Sequence, residues 1–304
     1  MKIGFSRAGV LVCDYLLQAV RLDVGKLTFG CIMTREILRT SLLLLAATPL
    51  HAQLRPLDPI DYRAFDDASV QADAGVAYYT HQHAALAGTR GPLWELGNFH
   101  VHIRTGRMVM ELGGTVQRLF HDDEIIDPPV GDAAGPSFTR KRHDAGDYRV
   151  GSILRLTSLQ SATLATLRFG TRLPTTDNVV GLDRDATDFY ATLSARRRFS
   201  KVAASVEAGL AINGTRKTTY EQTDVLSYAV SLMLPLSSAS VFVQAVGLDD
   251  LHDKEAIRGN EDLGELRVGA HLGKKQWASI TLVKGYREYS PKFGFQVAGR
   301  TTFN

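Results

Sequence analysis

Residues 188–213 read DFYATLSARRRF, SK and VAASVEAGLAIN, and this stretch decides the fold. If residues 200 and 201 form a turn, the two arms pair as antiparallel strands. One face then carries the pairs Phe199/Val202, Arg197/Ala204, Ala195/Val206, Leu193/Ala208, Ala191/Leu210 and Phe189/Ile212. The other face is polar or small throughout. Alternation with a period of two residues is typical of β-strands, so the stretch predicts a hairpin with one apolar and one polar face.

Three further stretches fold back in the same way. The expected pairs are Ile103 with Met110 about residues 106–107, Tyr148 with Thr171 about residues 159–160, and Leu266 with Val283 about residues 274–275. A soluble sandwich also alternates, so the hairpins alone do not separate it from a barrel. The lengths of the connections favour the barrel. A short turn joins the two strands of each hairpin, whereas residues 121–145, 174–184 and 248–261 form long polar connections between hairpins. Short turns at one end and long loops at the other are typical of bacterial outer-membrane barrels.

The fold class predicted from this pattern is all-β, an antiparallel up-and-down transmembrane β-barrel of about twelve strands over residues 70–304. Lipid offers no partner to an unpaired backbone amide, so the sheet has to close on itself. The apolar faces then point outward, with Trp94 and Trp277 in interfacial belts, and the polar faces point into the lumen. The terminal strand, residues 292–304, carries Phe303 near its end, as in strands recognised by the barrel-assembly machinery.

The N-terminal region predicts export. Residues 33–52 combine a basic start, an apolar core and a small-residue cleavage site, which is the order of a secretory signal peptide. We therefore expect residues 1–32 to be a gene-model extension and residues 53–69 to form a periplasmic N-terminal segment. Cys13 and Cys31, the two cysteines, both precede the expected cleavage site, as suits an oxidising compartment. The formal net charge of +3 is too small and dispersed for a nucleic-acid partner.

The expected lumen is rich in charged side chains. They are Arg149, Arg155, Arg168, Arg172, Arg196, Arg198, Arg267 and Arg300, with Asp147, Glu111, Glu207 and Glu265 as acidic partners. In the predicted register Asp147 faces Arg172, Arg196 lies diagonally from Glu207, and His102 lies beside Glu111. Isolated charges in a narrow interior are costly, so these groups either pair structurally or form a hydrated eyelet that favours anionic or polar solutes. The sequence leaves both interpretations open.

The sequence predicts neither a metal site nor a catalytic site, and no cofactor. His81 and His83 share a face of the first strand and His100 and His102 a face of the second, but no fixed set of further ligands accompanies them. A lipase or protease of the outer membrane needs a nucleophile beside a base, and neither a G-x-S-x-G elbow nor a Ser-His pair is placed by register. We therefore predict that the protein is not an enzyme.

The segments GDYRVGSILRL, LRFGTRLPTTDN, GLDRDATDFYATLSARRRF and ASVEAGLAING together resemble bacterial outer-membrane channels grouped as meta-pathway phenol-degradation-like transporters. The likeness extends over residues 146–234, with weaker agreement towards the C-terminus. It implies a barrel of about this size and the passage of small organic molecules. No catalytic residue is carried over from it.

The leading hypothesis is a channel or facilitator of the Gram-negative outer membrane for passive passage of small solutes through a polar, Arg-lined lumen. The rival is a structural or surface-interaction barrel whose lumen is plugged by paired charges and by residues 53–69. Expected partners are outer-membrane lipid and lipopolysaccharide, whose phosphates suit the basic residues 140–143 of the longest loop.

Overall fold

The structure is a computed structural model. It describes residues 54–65, 69–129, 133, 135, 140–146, 148–173, 175–177, 179–183, 186–213, 223–251, 262–273 and 277–303. The predicted signal peptide, the predicted upstream extension, Asp147 and the predicted turn at residues 274–275 lie outside these residues. A single sheet of fourteen strands accounts for most of the described chain, and twelve of them form a closed antiparallel barrel. The predicted fold class and strand number are thus confirmed.

The twelve barrel strands follow one another around the wall. They are β1 (Val70–Ala84), β2 (Thr89–Thr105), β3 (Met108–His121), β6 (Tyr148–Arg155), β7 (Thr163–Leu173), β8 (Asp188–Phe199), β9 (Val202–Asn213), β10 (Thr223–Pro235), β11 (Ala239–Asp250), β12 (Leu263–Leu272), β13 (Ala278–Gly285) and β14 (Phe293–Phe303). Pairing of β14 with β1 closes the cylinder. Two short strands, β4 (Glu124–Ile125) and β5 (Lys141–Asp144), lie in the longest connection and pair with β2 and β3. Among the described residues, no helix has the length and apolar character needed to cross a membrane.

The outer face of the wall is apolar and the inner face is polar. Leu193 and Leu282, on outward positions, are 61% and 62% exposed, while inward Glu265 is wholly buried. This polarity is the reverse of a soluble domain, and it matches a surface that meets acyl chains. Trp94 lies in an outward cluster with Tyr78 and Phe295, in accord with an interfacial aromatic belt.

Two predicted hairpin registers are confirmed. Phe199 faces Val202 and the ladder continues to Phe189 and Ile212, and Ile103 faces Met110. Both turns contain two residues, so turn and alternation specify the same register.

The predicted register of β6 with β7 is wrong by two residues, because Tyr148 faces Leu173 rather than Thr171. The cause is a longer connection, residues 156–162. Thr157 Oγ1 donates to the Thr163 carbonyl oxygen at 3.1 Å and accepts from the Ala165 amide at 3.0 Å, so a side chain replaces the backbone in the ladder. A shift of two residues keeps every side chain on its predicted face.

The predicted register of β12 with β13 is wrong by one residue. Val268 faces Leu282 and Arg267 faces Val283, because β12 ends at Leu272, opposite Ala278. Gly273, with φ of +79°, opens a five-residue connection in place of the expected two-residue turn. The observed pairing brings two exposed apolar side chains together on the outer face, which the predicted pairing did not.

The expected arrangement, with short turns at one end of the barrel and long loops at the other, has an exception. Residues 85–88 join β1 to β2 at the end of the barrel where the other connections are long, and Gly88, with φ of +67°, completes this tight turn.

Candidate functional site: the barrel interior

Residues 54–65, which precede β1, occupy the interior of the barrel. Residues 54–65, called the interior segment below, begin at Leu54, which packs with Ala87 and Leu182 at the long-loop end. They finish at Phe65, whose carbonyl oxygen accepts from Arg104 Nη1 at 3.1 Å beside the β2–β3 turn. The sequence left open whether this segment lies inside or below the lumen. The structure places residues 54–65 inside it.

Arg55 fixes the upper part of the interior segment to the wall. Its Nε and Nη2 donate to the two carboxylate oxygens of Glu265, on β12, at 2.9 and 2.7 Å. It also lies over the ring of Tyr79 and donates to that residue's hydroxyl. Such a two-pronged contact between guanidinium and carboxylate fixes orientation as well as position.

Asp58 makes the central contact of the segment. Its Oδ1 accepts from Arg267 Nη1 at 2.6 Å, and its Oδ2 lies 3.4 Å from His100 Nε2. Its carbonyl oxygen accepts from Arg168 Nη1 at 2.7 Å. Burial raises the pKa of the Asp58 carboxyl, but the charges of Arg267 and His100 outweigh burial and hold this pKa well below its usual range. Asp58 is therefore an anion at neutral pH.

The lower part of the segment is held by three further residues. Asp61 accepts from Arg300 Nη2 at 2.7 Å, the Ile60 amide donates to Glu207 Oε2 at 3.1 Å, and Tyr62 Oη donates to Ser194 Oγ at 2.7 Å. Burial opposes ionisation of Asp61, but Arg63 and Arg300 lower its pKa well below the usual range. Hydrogen bonds and ion pairs thus hold the segment along its whole length.

At least half of the eight arginines predicted to face inward form ion pairs with described carboxylates, namely Arg168, Arg172, Arg267 and Arg300. Arg168 donates to Glu111 at 2.7 Å, and Arg172 pairs with Asp188 and approaches Asp183 at 3.5 Å. The predicted partner of Arg172, Asp147, lies outside the described residues, and the residue that faces Arg172 across the ladder is Arg149.

Several predicted neighbours make other contacts than expected. Arg196 lies over the ring of Tyr62 at 5.3 Å, while Glu207 is approached by Arg168 at 3.6 Å and accepts from Thr192 at 2.6 Å. His102 faces Glu111 across the ladder, but Glu111 accepts from Arg168 and Tyr190.

Two inward arginines on β6 are less well satisfied. The Nε atoms of Arg149 and Arg155 are buried and have no hydrogen-bond partner among the described residues. Arg149 lines the cavity described below, whereas Arg155 and Arg198 do not.

The prediction that His81 and His83 share a face is wrong, because the ladder is irregular after Tyr79 and His81 has a φ of +51°. His83 is buried and stacks on Tyr289 at 4.4 Å, and His81 is exposed. In the described part of the chain, no group of three or more His, Cys, Asp and Glu side chains is placed to hold a metal ion.

The long connection between β7 and β8 covers the interior at the long-loop end. Asp183 accepts from Arg118 Nη1 at 2.8 Å, and the Val180 carbonyl oxygen accepts from Arg142 Nη1 at 2.6 Å. Leu182 packs in the same buried cluster as Leu54. This loop and the interior segment therefore contribute to one apolar cluster.

A cavity of about 280 Å³ remains between the interior segment and the wall. Its lining includes Asp58, His100, Arg149, Arg196 and Arg267. The contacts of the interior segment were missed by sequence reasoning, because they lie far apart along the chain. One signal was available: Arg55, Asp58 and Asp61 recur at every third residue, with Pro56 and Pro59 between them.

The fold and the filled interior define a structural class, the closed antiparallel β-barrels of twelve strands. An outer membrane channel from Pseudomonas putida F1 has a similar structure, with a TM-score of 0.53 and 14% identity, over 81% of this chain and 100% of that one. This likeness shows the fold.

Two other solved structures match with lower scores. The toluene transporter TbuX from Ralstonia pickettii matches with a TM-score of 0.39 and 10% identity, over 79% of this chain and 91% of that one. A BenF-like porin from Pseudomonas fluorescens Pf-5 matches with a TM-score of 0.26 and 8% identity, over 78% and 99%. Neither score carries an argument.

No protein-family model matches the chain, and no curated protein matches it. The expected outer-membrane-channel fold is confirmed, whereas membership of the phenol-degradation-like group stays a prediction.

Proposed function

We propose that this protein is an outer-membrane channel for passive passage of small solutes, closed at rest by the interior segment. One observation carries the proposal: residues 54–65 lie in the lumen and, in the described part of the chain, do not join the backbone ladder. Side-chain contacts hold them to the wall, namely ion pairs such as Arg55 with Glu265 and apolar packing of residues such as Leu57 and Phe65. Arg55 and Glu265 are both buried in the closed state, and both become hydrated when the segment withdraws into a water-accessible lumen, so the recovered solvation offsets the loss of the ion pair. The segment is therefore the part that moves.

The wall, in contrast, is suited to stay fixed. Each of its twelve strands is paired on both sides, and no water is available in lipid to replace a broken backbone hydrogen bond. Opening by separation of wall strands is accordingly far more costly than withdrawal of the segment. Solutes would pass along the space that the segment vacates, driven by their own gradient.

The remaining parts of the proposal follow from the expected targeting. The signal peptide over residues 33–52 directs export, the barrel-assembly machinery inserts the chain, and the apolar outer face meets outer-membrane lipid. Lys141 and His143, the exposed basic residues beside buried Arg142 in the longest loop, meet lipopolysaccharide phosphate. We propose no enzymatic activity.

The second candidate is a barrel that transports nothing. It is favoured by the number of inward arginines that already have carboxylate partners, such as Arg168 with Glu111 and Arg118 with Asp183. Paired charges of this kind also serve to fill a narrow interior.

Planar-bilayer recording separates the two candidates. We expect the exported, processed protein to show brief, discrete openings, and a variant that lacks residues 54–65 to conduct steadily. The deletion variant must first show the heat-dependent shift in gel mobility of a folded barrel. A folded deletion variant that stays silent would refute the channel and support the structural barrel.

A further inference from the structure

Asp58 places a carboxylate among cationic groups of the wall. Arg267 Nη1 donates to it at 2.6 Å, the His100 ring lies at 3.4 Å, and Arg149 also acts on it electrostatically. Arginine with a second donor is the arrangement by which proteins recognise a free carboxylate. The anion that fills this arrangement belongs to the interior segment, and the cations that form it belong to the wall.

The cationic groups do not depend on Asp58 for their positions. The Arg267 side chain is only 4% exposed, and its Nε donates to Glu265 Oε2 at 2.8 Å, so it stays oriented when Asp58 leaves. Arg149 forms no ion pair with any described residue, and its Nε has no hydrogen-bond partner among them. Withdrawal of Asp58 therefore leaves a preformed anion site, since a buried cation without a partner is costly.

Space for a ligand adjoins this site. The cavity of about 280 Å³ is lined by Asp58, His100, Arg149 and Arg267 themselves. Gly113 faces Arg149 across the ladder. A Cβ at this position would lie 2.5 Å from the His100 ring, so the glycine leaves room for that ring beside the cavity. A cavity of roughly 150 Å³ holds benzene, so this space accommodates a molecule with one ring and a carboxylate.

We propose that Asp58 occupies the wall's binding site for the carboxylate of a small organic acid, so that the transported acid competes with the interior segment and releases it. This inference rests on the proposed channel function and names its substrate class. Exchange of one carboxylate for another keeps a negative charge beside Arg267 and Arg149. A neutral solute of equal size offers no such exchange and does not open the lumen.

Titration calorimetry of the exported, processed protein in detergent tests the inference with two probes, benzoate and its neutral analogue benzamide. In the wild type Asp58 competes as a tethered ligand at an effective concentration in the millimolar range. We expect Asp58→Asn to bind benzoate about tenfold more tightly than the wild type, with no gain for benzamide. Equal benzoate binding by the two proteins, or an equal gain for benzamide, would overturn the inference.

Two further variants locate the effect. Arg149→Gln added to Asp58→Asn should remove most of the gain, because it takes away the cation that has no ion-pair partner among the described residues. Asp61→Asn also removes a carboxylate from the interior segment, but the ion pairs of that carboxylate are with Arg63 and Arg300. We expect it to leave benzoate affinity within about twofold of the wild type. If Asp61→Asn gained as much benzoate affinity as Asp58→Asn, loosening of the segment would cause the tighter binding rather than removal of the Asp58 carboxylate from the site. That result would refute the inference.

Bilayer recordings distinguish failure of this inference from failure of the channel. A wild-type protein that conducts without any response to benzoate retains the channel function and rules out the carboxylate trigger. Tighter benzoate binding by Asp58→Asn in a barrel that never conducts retains the carboxylate site and rules out transport.

Discussion

The barrel wall and the interior segment are stabilised in different ways. The wall is held by backbone ladders, with β8 and β9 paired over their full length, and it exposes side chains such as Leu193. The interior segment has no ladder partner among the described residues, and side-chain contacts hold it, both the polar ones of Arg55, Asp58 and Asp61 and the apolar packing of its buried residues. The comparison teaches that the wall is fixed by cooperative pairing in lipid, while the segment is fixed by contacts that water or another ion can replace.

A charge at the middle of the lipid-facing wall should give the largest effect, a loss of stability of the folded barrel. Leu193→Arg places a guanidinium near the centre of β8, where lipid contact is expected, and should destabilise the folded barrel by about 2–4 kcal/mol. Reversible unfolding from lipid vesicles by denaturant measures it. Phe199→Arg, on the same face but at the turn end of the same strand, is the matched control and should cost only about 0–1 kcal/mol. Equal effects would mean that the outer face does not span a bilayer.

Loss of an anchor of the interior segment should have the second-largest effect, which is on closure of the channel and not on folding of the barrel. Arg55→Ala removes both hydrogen bonds to Glu265 and the contact over Tyr79, so we expect the open probability in bilayer recordings to rise about tenfold, or about 1.4 kcal/mol. Arg90→Ala is the control, because Arg90 pairs with the exposed carboxylate of Glu124 at the outer rim. An unchanged open probability in Arg55→Ala would show that the segment is not the barrier.

The smallest effect concerns the register of β6 with β7, which differs by two residues from the predicted one. Thr157→Val keeps the shape of the side chain but removes the hydroxyl that bonds to Thr163 and Ala165. We expect a loss of about 1 kcal/mol in the same vesicle unfolding assay, and Thr157→Ser, which keeps the hydroxyl, should retain stability. If Thr157→Val proves neutral, the hydroxyl does not set this register.

The sequence predicts the wall well where turn and alternation agree. The hairpin of residues 188–213 and that about residues 106–107 have the expected pairs, because a two-residue turn and the apolar face specify the same register. Prediction fails where the connection is longer than two residues, since Thr157 or Gly273 then decides the pairing through local hydrogen bonding or a positive φ. Alternation alone does not report loop length.

The interior is only partly predictable from the sequence. Residues such as Arg168, Glu111 and Glu265 could be assigned to the inner face from alternation, but their partners depend on strands distant in sequence. The interior segment has no period-two pattern, and Pro56 and Pro59 exclude it from a ladder. Its three contacts through Arg55, Asp58 and Asp61 become visible only when the closed wall surrounds it.

The most direct test of the account is to tether the interior segment and record conductance. Tyr62 Oη lies 2.7 Å from Ser194 Oγ, so Tyr62→Cys with Ser194→Cys brings two thiols within reach of a short, disulfide-forming bifunctional reagent. The account predicts that cross-linking abolishes channel openings, that reductant restores them, and that neither single-cysteine variant responds. Openings that continue undiminished in the fully cross-linked protein would contradict it.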